Sequence, residues 1–273
     1  MGKIEIYCIS NKKYSFLNKL NIFLIGAGAA KKNKQFYPNN WFKDNSGINI
    51  SKKNKTHGTL TSHYWIWKNR LPLTKNWVAV CHYRRFWVKK NSRKINTDNL
   101  SSFLLRNIPK KYSGYDVFLP KKIKFKNLKK IKFIKKGFNN YIRKPSMLFT
   151  KIKYNINLHF DIFHGYGILE KAATVLNLDD RDDFLNYIKR SNSFYPLQIF
   201  IAKPAILRLL YKKTFKWITK CENIFTNFSF KGYGKERLFD FLAERFFSFF
   251  FIKYAKIKIL PYKLINVTKD HEL

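Results

Sequence analysis

Trp77 to Trp87 reads WVAVCHYRRFW. Its first five residues, Trp77 to Cys81, are apolar without a break, the pattern of a strand covered on both faces. Such a strand belongs to a sheet with helices packed on either side, which points to an α/β fold. Immediately after it come His82, Tyr83, Arg84 and Arg85. In open α/β sheets, ligands bind outside the carboxyl ends of the strands, where these residues fall. An extended continuation would turn His82 and Arg84 to one face and Tyr83 and Arg85 to the other. A guanidinium fork at such a place suits a phosphate or diphosphate, since it bonds two oxygens at once. A plainer reading, Arg85 paired with a structural carboxylate and His82 in a polar core niche, is weakened by the shortage of acids.

Outward from this strand the same alternation continues. Lys3 to Ile9 and Ile22 to Ile25 read as strands, the second running into Gly26-Ala27-Gly28-Ala29-Ala30. That GxG lacks the third glycine of a dinucleotide fingerprint, with Lys31 in its place, and a simple tight turn is the favoured reading. Residues 38–57, rich in Pro, Asn, Gly, Ser and Lys, mark a long loop. A helix is expected over Thr59 to Asn69, ending before Pro72. Further strands are expected at Tyr115–Leu119, Ile199–Ala202 and Lys256–Leu260. Helices are expected near 167–177, 181–190, 204–222 and 235–252. The expectation is one α/β domain over residues 1–265 around a mostly parallel sheet, with a basic insertion at about 121–157 and a tail at 266–273.

The chain has 273 residues, 55 Lys and Arg against 16 Asp and Glu, and a net charge of +39. Aromatics at 18% exclude intrinsic disorder, because disordered chains lack the residues that build a core. Lysines outnumber arginines 44 to 11, whereas nucleic-acid recognition leans on arginine, so nucleic acid ranks last among the anionic partners considered. Lys121 to Lys153 carries thirteen Lys or Arg and no acid, interleaved with Ile, Phe and Leu. Contact with an anionic membrane surface and a solvated face packed on the core both remain open for it. Cys8, Cys81 and Cys221 stand far apart with no CxxC pair, which suits a reducing compartment and gives no zinc framework. The start, MGKIEIYCIS, reads as a strand, and no apolar run approaches the roughly 18 residues of a membrane span. A cytoplasmic protein, soluble or peripheral on the inner face of the plasma membrane, is expected.

Candidate general bases are few enough to name. Asp44, Asp116, Asp161, Glu170, Asp240 and Glu244 lie in or beside structured segments. Asp179, Asp180, Asp182 and Asp183 form DDRDD before FLNYIKR. A DxD spacing there could hold Mn²⁺ or Mg²⁺ through Asp180 and Asp182, yet acids before an apolar run are also what a helix start prefers. Glu244 sits within FDFLAERFFSFFF, where a carboxylate is either paired with a cation or faces a pocket as a base. No GxSxG, HExxH, Walker A or EF-hand pattern occurs.

The blocks NIFLIGAGAA, DNSGINISKKN, TLTSHYWIWKN and VAVCHYRRFW, with YDVFLPKK, FYPLQIFIAKP and FDFLAERFF downstream, resemble a bacterial family of unknown-function domains from capsular and exopolysaccharide biosynthesis. YWIWKN followed by CHYRR is the specific part. The resemblance implies a GT-A-like glycosyltransferase using a nucleotide-sugar donor and a lipid-linked glycan acceptor. The family's shared polar positions fall on Asp44, Asn49, Ser51, Asn54, Thr61, His82, Arg84, Arg85 and Glu244. Departures are Thr59 where the family has glutamate, Gln198 where it has asparagine, and the long basic segment. With that glutamate missing, the acid–base role is expected of Glu244 or Asp161. Arginines in place of a DxD imply metal-independent transfer with no required cofactor, Arg84 and Arg85 on the diphosphate and His82 assisting. The rival reading is a non-enzymatic basic module for nucleic acid, anionic polymer or membrane.

Overall fold

The computed structural model describes residues 2–90, 92–125, 154–229 and 231–267. They fall in two compact units: residues 1–121, 197–212 and 250–273 form one, residues 122–196 and 213–249 the other. Most of the basic segment, 126–153, and residues 268–273 lie outside the described residues.

The first unit is built on a ten-stranded sheet. Its strands are β1 (Gly2–Ser10), β2 (Phe23–Gly26), β3 (Phe42–Lys43), β4 (Trp77–His82), β5 (Arg85–Trp87), β6 (Asn107–Ile108), β7 (Val117–Leu119), then β10 (Phe200–Ala202), β11 (Ile257–Ile259) and β12 (Tyr262–Leu264). The numbers β8 and β9 belong to a short hairpin of the second unit, Ile123–Lys124 with Ser193–Phe194. The central order is β11-β7-β10-β4-β1-β2-β3, and β5, β6 and β12 pair off this path. β1 is parallel to both β2 and β4, and β2 to β3, while β10 runs antiparallel between β4 and β7. The sheet is thus mostly parallel, as the apolar strands imply. Val78 to Cys81 are fully buried, which accounts for the unbroken apolar run: both faces of β4 are covered.

Helix α1 (Leu60–Asn69) precedes β4 and buries Leu60, Trp65 and Ile66. It stops two residues short of Leu71-Pro72, where the proline disfavours helical backbone in the residue before it.

The second unit contains α2 (Ile156–His164), α3 (Ile168–Thr174), α4 (Leu178–Arg190) and parts of α5 (Pro204–Ile224) and α6 (Leu238–Tyr254). Asn155 caps α2, its Oδ1 accepting from Leu158 N at 2.8 Å. DDRDD opens α4: Asp179 and Asp180 lie in its first turn and Lys189 and Arg190 in its last, complementing the helix dipole. The core of this unit is aromatic. Phe184 packs edge-on against Trp217, Phe246 and Phe249, and Trp217 Nε1 donates to Ala172 O at 2.7 Å.

Candidate functional site

The parallel strands of the first unit end in step. Ser10 is level with Gly26, Ile9 with His82, and Gly26 with Lys43. From β1 the chain moves to β2 and β3 on one side, then returns to place β4 on the other side of β1. The strand order therefore reverses between β1 and β4, and His82 stands at the carboxyl ends beside that switch point, where open α/β sheets bind their ligands.

The HYRR segment differs from its extended expectation. The chain reverses over Tyr83 and Arg84, and β5 returns antiparallel with Arg85 directly opposite His82. Opposite residues of an antiparallel pair share a face, so His82 groups with Arg85, not Arg84. The hairpin is pinned on both sides: Tyr83 N donates to Ile9 O at 3.2 Å, and Ile265 N to Arg84 O at 2.8 Å. The Tyr83 ring stacks on buried Tyr14 with centroids 5.2 Å apart. Arg84 and Arg85 are both half-buried, and among the described residues neither has an ion pair or a side-chain hydrogen bond. Arg84 Nε is shielded from water with no acceptor. Two partly desolvated cations without carboxylates favour an anion beside this edge of the sheet.

Three strand spacings away, roughly 14 Å, a second polar group gathers around Asp44. Its carboxylate is fully buried. Gly28 N and Ala29 N donate to it at 2.8 and 2.9 Å, Ser51 Oγ at 2.5 Å and Thr61 Oγ1 at 2.6 Å. Four donors fill the acceptor capacity of one carboxylate. Ser51 Oγ also accepts from Ala30 N at 3.1 Å. Asn54 Nδ2 donates to Gly58 O and Thr61 Oγ1, and Asn49 braces the preceding turn by donating to Asn45 O and Gly47 O. Gly28 adopts φ +68°, and a Cβ there would lie 2.7 Å from Asn54 Oδ1. The GxG segment is thus a tight turn whose amides are taken by Asp44, where a nucleotide-binding turn would offer them to phosphate. Asp44, Ser51, Asn54 and Thr61 are brought together as one network that shapes the sheet edge.

Behind the hairpin lies His63, fully buried, its Nδ1 3.0 Å from Tyr211 Oη. Burial, with His82 nearby, pulls its pKa down to about 3, so the imidazole is neutral at physiological pH. Nothing in the sequence alone singled out His63, because only the fold brings α1 against β4.

Asp161 and Glu244 belong to the second unit. Asp161 Oδ1 accepts from Gly167 N at 3.0 Å, tying the end of α2 to the start of α3. Glu244 is paired with the neighbouring Arg245, whose guanidinium is buried. Arg245 also lies 3.3 Å from His159 Nδ1 and over the Phe194 ring at 4.3 Å. Burial, with Arg245 and His164 near, pulls His159 down to about 2, and His164 is lowered to about 3 by burial and Arg245. Asp180 is buried and bonded to Lys213 at 2.6 Å, while Asp182 is exposed. Two residues apart on a helix, they point about 200° from one another and do not converge on a common ion. Among the described residues no cluster of three or more His, Cys, Asp or Glu could hold a metal, and no helix is long and apolar enough to cross a membrane.

The mixed α/β fold, with its mostly parallel central sheet, is GT-A-like. A solved structure described as the bifunctional glycosyltransferase WbbM in its apo form matches with a TM-score of 0.69 at 20% identity. The match covers 97% of this chain and 46% of that one, so this chain spans less than half of it, and the likeness is one of fold. The model of a family described as a domain of unknown function, DUF4422, matches residues 5–255, and the chain belongs to that family. No curated protein matches the sequence.

Proposed function

We propose that this protein is a glycosyltransferase that moves a sugar from a nucleotide-sugar donor to a lipid-linked glycan of surface-polysaccharide assembly, at the inner face of the membrane. The observation that carries the reading is the pair Arg84 and Arg85, half-buried beside the switch point and without carboxylate partners. In transfer, the acceptor oxygen attacks the anomeric carbon, the bond to the diphosphate breaks, and negative charge grows on the leaving phosphate. Fixed guanidinium groups stabilise that growing charge without reorganising, the role a metal plays in other enzymes of this fold class. The fold match to a glycosyltransferase structure supports the class.

His82, opposite Arg85, assists at the diphosphate, and the Asp44 network holds the neighbouring turn in shape. Where transfer inverts the anomeric centre, Glu244 is the proposed base, taking the acceptor's proton. Its carboxylate is paired with Arg245. Asp161 is the second choice, since one of its oxygens is committed to Gly167 N. The proposed transfer is metal-independent, a reading supported by the hairpin arginines; against the alternative through Asp180 and Asp182 stands the ion pair of Asp180 with Lys213.

The test is release of nucleoside diphosphate from UDP-, GDP- and dTDP-sugars, and of CMP from CMP-sugars, with a glycolipid acceptor, in EDTA. Turnover that falls in Arg84→Ala with little change in acceptor KM supports the reading. Unchanged kcat removes Arg84 from this role. Absence of turnover, together with salt-sensitive binding to DNA or anionic vesicles, would replace it with a basic binding module.

A further inference from the structure

The residues entering β10 hold a backbone conformation that a simple chain reversal does not require. Leu197 and Gln198 have φ of 76° and 53°, two consecutive residues in the left-handed region. Glycine occupies that region freely, and Leu or Gln only with strain. Among the described residues the other non-glycine case is Asn21, a residue type that tolerates it. Strain of this kind persists where the surroundings over-determine it, and it gathers at ligand sites.

Its place in the sheet gives the strain a meaning. β10 runs antiparallel to β4, with Phe200 level with Val80. The preceding residue, Ile199, is therefore level with Cys81, and the Leu197–Gln198 turn comes to the sheet edge beside His82. Because β10 is reversed, its amino end is delivered to the edge where β1, β2 and β4 have their carboxyl ends. Gln198 is only 7% exposed, so a neutral amide is held out of bulk water next to the cationic hairpin.

Arg84 and Arg85 bind charge that every nucleotide sugar carries and so cannot tell one sugar from another. A carboxamide offers a donor and an acceptor together, the complement of a sugar hydroxyl. A site that pairs with a hydroxyl discriminates strongly against a sugar that lacks it, since its own buried polar group is then left unpaired. We infer that Gln198, fixed by the strained Leu197–Gln198 turn, is a specificity-determining residue of the donor site that reads hydroxyls of the transferred sugar; this rests on the transferase reading above.

The experiment compares wild type, Gln198→Ala and Gln198→Asn by calorimetric titration with a nucleoside diphosphate and with the matching nucleotide sugar. Gln198→Ala is expected to keep its diphosphate affinity and to lose about tenfold toward the nucleotide sugar, as one neutral hydrogen bond implies. Gln198→Asn, whose side chain suits the left-handed backbone, is expected to fold at least as stably and to change the ratio of kcat/KM between two epimeric donors. Equal losses toward diphosphate and nucleotide sugar, or no loss toward either, overturn the inference while leaving the transferase reading intact. Should Gln198→Ala not fold, an unchanged donor ratio in Gln198→Asn overturns it alone. A wild-type chain that binds neither ligand overturns the transferase reading, and the inference falls with it.

Discussion

His82 and Arg85 are direct partners across the two-residue turn that joins β4 to β5. The pairing puts an imidazole and a guanidinium on one face of a rigid hairpin, at the edge where the strand order reverses. Neither arginine of the turn is held by a carboxylate among the described residues, so the hairpin's cations are spare for a ligand.

Removing them should therefore weaken ligand binding without weakening the fold. Arg84→Ala and Arg85→Ala are each expected to cost about 1.5–3 kcal/mol in diphosphate affinity, the range of a charge-assisted hydrogen bond. The melting temperature should stay within a few degrees of wild type. Calorimetric titration beside thermal melting checks this. A large loss of stability with unchanged affinity would make them structural.

Asp44 should behave in the opposite way. Asp44→Ala strands two backbone amides and two hydroxyls in a buried place, and a loss of about 3–5 kcal/mol is expected. Asp44→Asn should also destabilise, since its NH₂ would face donors. Urea unfolding checks this. Normal stability with abolished nucleotide binding would instead make Asp44 a direct ligand of the donor.

Gly28→Ala places a Cβ on a backbone at φ +68° and against Asn54 Oδ1. A loss of about 1–2 kcal/mol is expected from the left-handed conformation alone. Loss of the turn should carry over to Asn54 and Thr61, so donor affinity should fall as well. Denaturant midpoints and titration of the same variant measure both.

Three buried histidines and the half-buried His159 make the fold acid-sensitive. His57, His63 and His164 are lowered to about 3 and His159 to about 2, chiefly by burial. Their unfolded counterparts take up protons near pH 6.5, so between 6.5 and 3 the unfolded chain binds more protons. The stability they confer is whole above 6.5 and is lost as pH falls. The loss reaches about 1.4 kcal/mol per histidine per pH unit, which brings unfolding on at about pH 5 for a fold of ordinary stability. Melting temperatures from pH 7.5 to 4.5 check this; a flat profile would contradict the burial of these rings.

Glu244→Gln should lower kcat by roughly 10²–10⁴, the usual contribution of a general base, with donor affinity retained. A stability loss is expected beside it, because Arg245 is buried and loses its counter-charge. Single-turnover rates at saturating donor separate the two effects. An unchanged rate constant in folded enzyme would pass the base role to Asp161.

Much of the sheet was legible because burial on both faces leaves an unbroken apolar run, as in Val78 to Cys81, or an alternating one, as in Lys3 to Ile9. The hairpin was not. Tyr83-Arg84 lacks the Gly, Asn or Asp that marks a two-residue turn, so HYRRF read as a straight continuation. β6, β8, β9 and β12, of two or three residues each, are too short to show a period. The Asp44 cluster was marked only by resemblance, since no spacing rule says that a loop carboxylate will reach back 16 positions to Gly28. Gln198 was noticed as a departure from the family pattern, but its place beside His82 needed the reversed direction of β10.

The most direct measurement is a thermal-shift titration of the whole chain with UDP, GDP, CMP and dTDP sugars, first in EDTA and then with manganese. Stabilisation grows with the logarithm of ligand concentration over Kd. A shift with one nucleotide that persists in EDTA and disappears in the Arg84→Ala, Arg85→Ala double variant is the expected result. A shift that appears only with manganese, or one that the double variant retains, contradicts a donor diphosphate held by the hairpin arginines.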